Sequence, residues 1–280
     1  MGYFERALFA AVVIGAGAGF VGALVVLRRR TFFAQALTHA TYPGAVAAAA
    51  LGVSVPLGAA VASVVLVAVM AAIARVRRQG AQVAAGIVLT GGFAAGALLQ
   101  AAIPGLPVRA ESLLVGSILT VSDGDILLAA FVAVVAVALV AAFGKEIAFS
   151  TFDQAGFRAA GFREWPVEVL VLGLIAASVV SSLPAVGAIL AIALLAAPAT
   201  AARLLVPSFR GILIAAPFIG AASGVLGVLA SRTFAIAAGP AIALAATAFF
   251  LLALGISKLR GLPLNRVAIP VETVEDARIA

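Results

Sequence analysis

The chain has 280 residues, 65% hydrophobic and 10% charged, with a net charge of +7 and a mean hydropathy of +1.25. Soluble domains carry about 25% charged and 45–50% apolar residues, so a water-soluble fold is excluded and the solvent is lipid. There are no cysteines, which excludes disulfides, thiolate metal sites and a Cys nucleophile. The basic excess sits in short clusters between apolar runs, which is a topology signal and not a nucleic-acid surface.

In chain order, the apolar runs cover approximately 7–27, 36–53, 55–74, 83–103, 126–143, 167–182, 184–204, 211–230 and 240–256. At about 20 residues per span, they predict an all-α polytopic transmembrane helix bundle of about eight or nine spans. No small-residue cleavage site follows the first run, so it reads as a retained helix and not a signal peptide. One set of connections holds Arg28, Arg29, Arg30, Arg75, Arg77, Arg78, Lys145, Arg158, Arg163, Arg203, Arg210, Lys258, Arg260, Arg266 and Arg278. The other set holds only Arg6, Arg109 and Arg232. By the positive-inside rule, the N-terminus is outside and the C-terminus cytoplasmic. The stretch 111–121, ESLLVGSILTV, is too short to span and reads as a re-entrant or interfacial segment. Residues 1–256 form the bundle, and 257–280 a polar cytoplasmic tail.

Glycine is abundant, with 28 copies. Lipid gives helices no hydrophobic drive to associate, so small residues that allow close backbone approach supply the packing. Gly15-x-x-x-Gly19, Gly92-x-x-x-Gly96 and Gly220-x-x-x-Gly224 have that spacing. Gly17-x-Gly19-x-x-Gly22 matches a dinucleotide fingerprint, but it lies inside an apolar span with no preceding strand and reads as helix packing. No Walker-type phosphate loop occurs in the sequence, so ATP-driven transport would need another chain to hydrolyse the nucleotide.

Ionisable groups inside a bilayer are costly and are functional candidates by default. The single histidine is His39, in FFAQALTHATYPG. Gln35 lies four residues earlier, on the same helix face, and Pro43-Gly44 permits a bend or partial unwinding. Imidazole and an amide oxygen are ligands for divalent manganese, iron or zinc. One such pair makes half of a transient site if a second subunit supplies the same pair across a two-fold axis. Gln100, near the end of a span, and Glu111, just beyond it, are candidates for an outer vestibule or an ordinary interfacial pair. Asp123 and Asp125 read as the cap of the following helix. The polar stretch 144–166, GKEIAFSTFDQAGFRAAGFREWP, predicts a short amphipathic helix. It either rests on lipid or docks into a groove on a cytoplasmic partner.

Several stretches resemble the permease subunits of bacterial ABC importers for zinc, manganese and related metal ions. ALTHATYPGAV (36–46) resembles the family's helix bearing an Asp-x-x-x-His pair. FSTFDQAGFRAAGF (149–162) is similar to its cytoplasmic Phe-Asp…Ala…Gly segment. VGAILAIALLAAPATAARLL (186–205) matches its Val-Gly…Leu-Leu…Pro-Ala pattern, and LLVGSILTVSDGDI (113–126) its Gly-x-Ile/Leu-x-x-Val segment. The resemblance implies a multi-pass permease of the bacterial plasma (inner) membrane. It implies no permanently bound cofactor, and import of manganese or zinc (or iron) powered in trans. The implied partners are a cytoplasmic ABC ATPase dimer, an extracytoplasmic metal-binding protein and a second permease copy or related chain.

The resemblance also implies that His39 and the position of Gln35 gate or transiently bind the ion. Gln35 replaces the family's acid, which removes a formal negative charge from each protomer's gate. Phe152, Asp153, Ala155, Ala159 and Gly161 fall in the segment expected to contact the ATPase. The alternatives are a permease for a metal chelate of the siderophore or cobalamin kind, and a stand-alone secondary transporter. The second lacks a recognisable internal repeat and a carboxylate well inside a span. No paired acids or second histidine point to an enzyme.

Overall fold

The structure is a computed structural model that describes residues 2–74, 81–103, 116 and 118–260. Among these residues the chain is entirely helical. The helices are α1 (Tyr3–Leu27), α2 (Thr31–Ala40), α3 (Tyr42–Ala50), α4 (Val55–Ala74), α5 (Ala81–Ala102), α6 (Asp123–Phe152), α7 (Gln154–Ala159), α8 (Glu164–Leu205), α9 (Phe209–Phe234) and α10 (Ala238–Leu259), with a 3-10 turn at Ile118–Thr120. Among the described residues, six helical segments are long and apolar enough to cross a membrane, and Val55–Met70 and Leu190–Leu205 are shorter apolar helices. Arg75, Arg77, Arg78, Arg109, Glu111 and most of the weak segment 111–121 lie outside the described residues, as does the tail from 261. α10 continues to Leu259, three residues past the end expected for the bundle.

The run 36–53 is not one regular helix. Pro43 brings no N–H to the carbonyl of His39 four residues earlier, and the chain breaks at Thr41 between α2 and α3. The path nevertheless continues in one direction, because α5 follows both pieces. Gly92 lies against Ala40, and Gly96 against Tyr42 and Pro43. Together α2 and α3 span about 30 Å at 1.5 Å per residue, the thickness of the hydrocarbon core.

α8 holds the opposite surprise. Its 42 residues fold back at Gly187, whose φ of 74° and ψ of 166° fall in a region essentially closed to residues with a Cβ. Glu168 hydrogen-bonds Arg28 at the end of α1, while Ala199 and Ala202 pack with Ala23, also near that end. In a straight helix Glu168 and Ala199 would be about 46 Å apart, so the two limbs are antiparallel. The runs 167–182 and 184–204 are therefore separate helices, but they join at Gly187, inside the second run, and not between the two.

α1 is the central helix, packed against α9 and both limbs of α8. Backbone proximity holds it there. A Cβ on Gly15 would lie 2.5 Å from the carbonyl oxygen of Gly220, and one on Gly224 would lie 2.6 Å from that of Ala11. Gly22 meets the backbone of Leu195, so the Gly17-x-Gly19-x-x-Gly22 run serves helix packing. At these crossings there is no room for even a Cβ, and van der Waals contact between backbones replaces the hydrophobic drive that lipid does not supply.

Contacts at the two ends of the bundle sort the charges. At one end Arg6 pairs with Asp123 at 3.0 Å, and Arg232 sits 4.4 Å over the ring of Phe4. At the other end lie Arg28 to Arg30, the end of α6, α7, the start of α8 and Phe209, whose ring meets Phe152 at 6.2 Å. The helix that begins at Asp123 starts differently from expectation. Ser122, not an aspartate, is the N-cap. Its Oγ accepts from the Asp125 N–H at 3.2 Å, and the Ser122 N–H donates back to Asp125 Oδ2 at 3.1 Å. That is a reciprocal capping box with an aspartate in the place of glutamate.

α1 ends in a chain reversal made of arginines. The Arg30 N–H donates to the Val25 carbonyl at 2.8 Å and the Arg29 N–H to that of Val26 at 3.2 Å, with Arg29 left-handed at φ 56°. This is the Schellman motif with arginine where glycine is usual. The turn sends the Arg28 guanidinium back across the bundle. Its Nε donates to Thr151 Oγ1 at 3.0 Å, Nη1 to Glu168 Oε2 at 2.9 Å, and Nη2 to Ser150 Oγ. Arg30 donates to the other oxygen of Glu168. The Arg28 side chain is 9% exposed. Its burial pushes the guanidinium pKa down, and the Glu168 carboxylate opposes that shift.

Candidate functional site

The break at Thr41 organises the polar groups of the membrane interior. The Thr38 hydroxyl donates to the Gln35 carbonyl at 2.8 Å, and the Thr41 hydroxyl to that of Thr38 at 3.4 Å. These bonds satisfy both hydroxyl protons within the helix and leave oxygen lone pairs available. His39 is half-buried between them. Phe93 of α5 meets the imidazole edge-on at 6.2 Å between centroids and stacks on Tyr42 at 5.6 Å. The Tyr42 hydroxyl donates to Gln100 Oε1.

Beside His39 lies a void of about 20 Å³, enough for one water-sized guest. Thr38, His39, Thr41 and Tyr42, at the break between α2 and α3, border it on one side, and nearly all of the surface facing the void is carbon. Its apolar wall comes from the start of α4, at Val55, Pro56 and Ala59, and from the fold-back of α8, at Val180, Leu183, Pro184 and Ala188. The void is thus an apolar cage between the α2–α3 break and the α8 hairpin, bordered by residues that carry one imidazole and three hydroxyls. Among the described residues, no group of three His, Asp or Glu lies close enough to hold a metal ion together. The site offers one imidazole and neutral oxygens, a donor set for a passing borderline cation and not for a permanently held one.

The structure brings together some of the residues singled out in the sequence. His39 is on the wall of the void. Gln35 is half-buried one turn away and is not among the residues that border the void. Gln100 joins through Tyr42, while Glu111 lies outside the described residues. Sequence reasoning missed Tyr42 and Phe93. Tyr42 is one of only two tyrosines, and a phenol in an apolar run next to a proline was the available signal. The contribution of the α8 hairpin had no local signal, because it depends on tertiary packing.

The second feature lies at the end of the bundle that carries Arg28. Asp153 caps α7, accepting from the Gly156 N–H at 2.8 Å. A Cβ at Gly156 would collide with that carboxylate, which explains the Asp-x-x-Gly spacing. At the other end of α7, Gly161 is left-handed at φ 84°. The Gly161 and Phe162 N–H groups donate to the carbonyls of Arg158 and Phe157 at 2.9 and 3.2 Å. This second Schellman motif carries its usual hydrophobic contact, here Phe162 stacked on Phe157 at 5.1 Å.

Phe157 is 1% exposed, and Phe149 also meets it edge-on at 5.4 Å. The six-residue helix is therefore a knuckle, capped at both ends and pinned by one buried ring. Glu164 secures it further, pairing with Arg158 at 3.1 Å and accepting from Gln154 at 2.9 Å. Phe152, Asp153, Ala155, Ala159 and Gly161 are all exposed on it, beside Phe162 and Trp165 at 53% and 63% exposure.

An all-helical bundle with membrane-length spans, a small void beside its single histidine and a capped knuckle at one end defines a multi-pass membrane transport protein. The chain belongs to the ABC 3 transport family, whose model matches residues 1–257. It is 34% identical to the zinc transport system membrane protein TroC of Treponema pallidum, over 92% of this chain and 90% of that protein. It is 29% identical to the manganese transport system membrane protein MntC of Halalkalibacterium halodurans, over 92% and 89% of the two chains. Its fold is similar to that of PsaBC from Streptococcus pneumoniae, solved in complex with Fab, with a TM-score of 0.83 at 28% identity and 91% coverage of each chain.

Proposed function

We propose that the chain is the membrane-spanning permease subunit of an ATP-binding-cassette importer for a divalent transition metal ion, manganese or zinc, in the bacterial plasma membrane. The observation that carries this reading is the break at Thr41, which gathers His39, Thr38 and Tyr42 at a void large enough for a bare ion. An organic chelate would need a much larger and more polar path, which favours the ion over a siderophore- or cobalamin-type cargo. A second permease copy supplies the same half-site, so that two imidazoles and several hydroxyl oxygens meet the ion briefly. Binding of this strength lets the ion enter and still leave.

In this reading the Arg28 end faces the cytoplasm, because the excess of cations lies there. The knuckle 152–162 docks its exposed Phe152, Ala155 and Ala159 face into a cytoplasmic ATPase, a helix-in-groove contact. ATP binding and hydrolysis in that partner rock the bundle between outward- and inward-facing states. An extracytoplasmic binding protein delivers the ion at the Arg6 end.

The test is metal uptake by cells carrying the complete transporter. His39→Ala is expected to lower uptake of the cognate metal about tenfold or more, with the complex still assembled, and the metal lost names the substrate. Gln35→Asp restores a formal charge near the path and is expected to lower the KM for that metal about tenfold, equivalent to about 1.4 kcal/mol. Unchanged uptake in both variants would remove His39 from the ion path.

A further inference from the structure

One guanidinium joins the two chain segments that enter and leave the knuckle. Ser150 and Thr151 are the last residues of α6 before Phe152, and Glu168 is in the first turns of α8 just after Trp165. Arg28 bonds all three. Arg28 also begins the three-residue turn into α2, and His39 lies eight residues beyond Thr31, about 12 Å along the helix. The other face of α1 is closed by backbone contact with α9 at Gly15 and Gly19. A displacement delivered at Arg28 is therefore resisted by α1 and passes into the turn and α2.

We propose that the Arg28–Glu168–Arg30 cluster is the strut that couples movement of the knuckle to the α2 helix carrying His39. The proposal rests on the reading that the knuckle docks on an ATPase. Its members are positioning residues and touch neither ion nor nucleotide. The cluster suits a strut because its geometry is over-determined. Glu168 accepts from two arginines, one on each of its oxygens, and Arg28 uses all three of its nitrogens. The cluster holds two cations and one anion. Loss of the Glu168 charge leaves two guanidinium groups facing each other, one of them buried, and the turn is then free to part from α8. Among the described residues Arg29 takes no part in the ion pairs, and its left-handed backbone makes the chain reversal.

The experiment uses the full complex of permease, ATPase and binding protein in proteoliposomes. ATP hydrolysis and uptake of radioactive manganese and zinc are measured side by side. The variants are Glu168→Gln, and the exchange Arg28→Glu with Glu168→Arg. Glu168→Gln is expected to leave hydrolysis within about twofold of native while uptake per ATP falls about tenfold, within the range of coupling energies measured for contacting residues. The exchange restores a paired cluster and is expected to recover at least a third of the native ratio. A purely structural role would lower assembly, hydrolysis and uptake together, and that outcome overturns the proposal. It is also overturned if the uptake-to-hydrolysis ratio of Glu168→Gln equals the native one, or if the variant complex fails to assemble. The docking reading fails separately, and takes the strut with it, if the native complex shows no ATP-dependent uptake.

Discussion

Ala235 ends α9 with φ 53°, a left-handed conformation that is exposed to solvent. The Ser231 hydroxyl holds the turn from inside, donating to the Ile236 carbonyl at 2.7 Å. A Cβ in the left-handed region costs roughly 1–2 kcal/mol, and glycine gives back part of that gain as unfolded-chain entropy. Ala235→Gly is therefore expected to stabilise the protein by about 0.5–1 kcal/mol, seen as a higher midpoint of thermal unfolding in detergent. A lower midpoint would mean that the Ala235 methyl makes a contact worth more than the strain. His39 stood out in the sequence by being the only one of its kind. Tyr42 did not, because its value comes from Phe93 and Gln100, 51 and 58 positions away. Glu168 was also read only as part of a span, since its partners are 138 and 140 residues distant.

Helices were legible where composition alone decides them. The apolar runs located α1, α4, α5, α9 and α10, and the glycine spacings marked where backbones meet. The interruptions were harder. Pro43 announced a bend, but its effect appears two residues earlier at Thr41, because proline disrupts the carbonyl four positions before it. The fold-back at Gly187 was hidden inside the apolar run 184–204, with helical residues on both sides of it. That hairpin turns on one residue, and Gly187→Ala asks an L-residue to adopt a conformation reserved for glycine. The expected cost is about 1–3 kcal/mol. The Leu183–Ala188 wall of the void would shift with it. Reduced thermal stability together with reduced metal uptake checks both consequences, whereas native stability would show that the turn re-forms at another residue.

At the scale of the whole molecule, the sorting of charge between the two ends predicts orientation. The sequence has no cysteine, so single cysteines can be introduced without background. Tyr3→Cys is expected to react with a membrane-impermeant maleimide on intact spheroplasts, and Leu259→Cys only after permeabilisation. Equal labelling at both positions would put the two ends on one side. The same arginines that sort the ends also sit in the strut, and the two roles fall at different times. Glu168 is made about 140 residues after Arg28. At a synthesis rate of 5–20 residues per second, that is an interval on the order of ten seconds. Throughout it the arginines at the end of α1 have no carboxylate partner from α8, and under the orientation proposed above their full charge is available to hold that end on the side of synthesis. When Glu168 arrives, it neutralises one of those positive charges, and the same groups join the start of α8 to the end of α1.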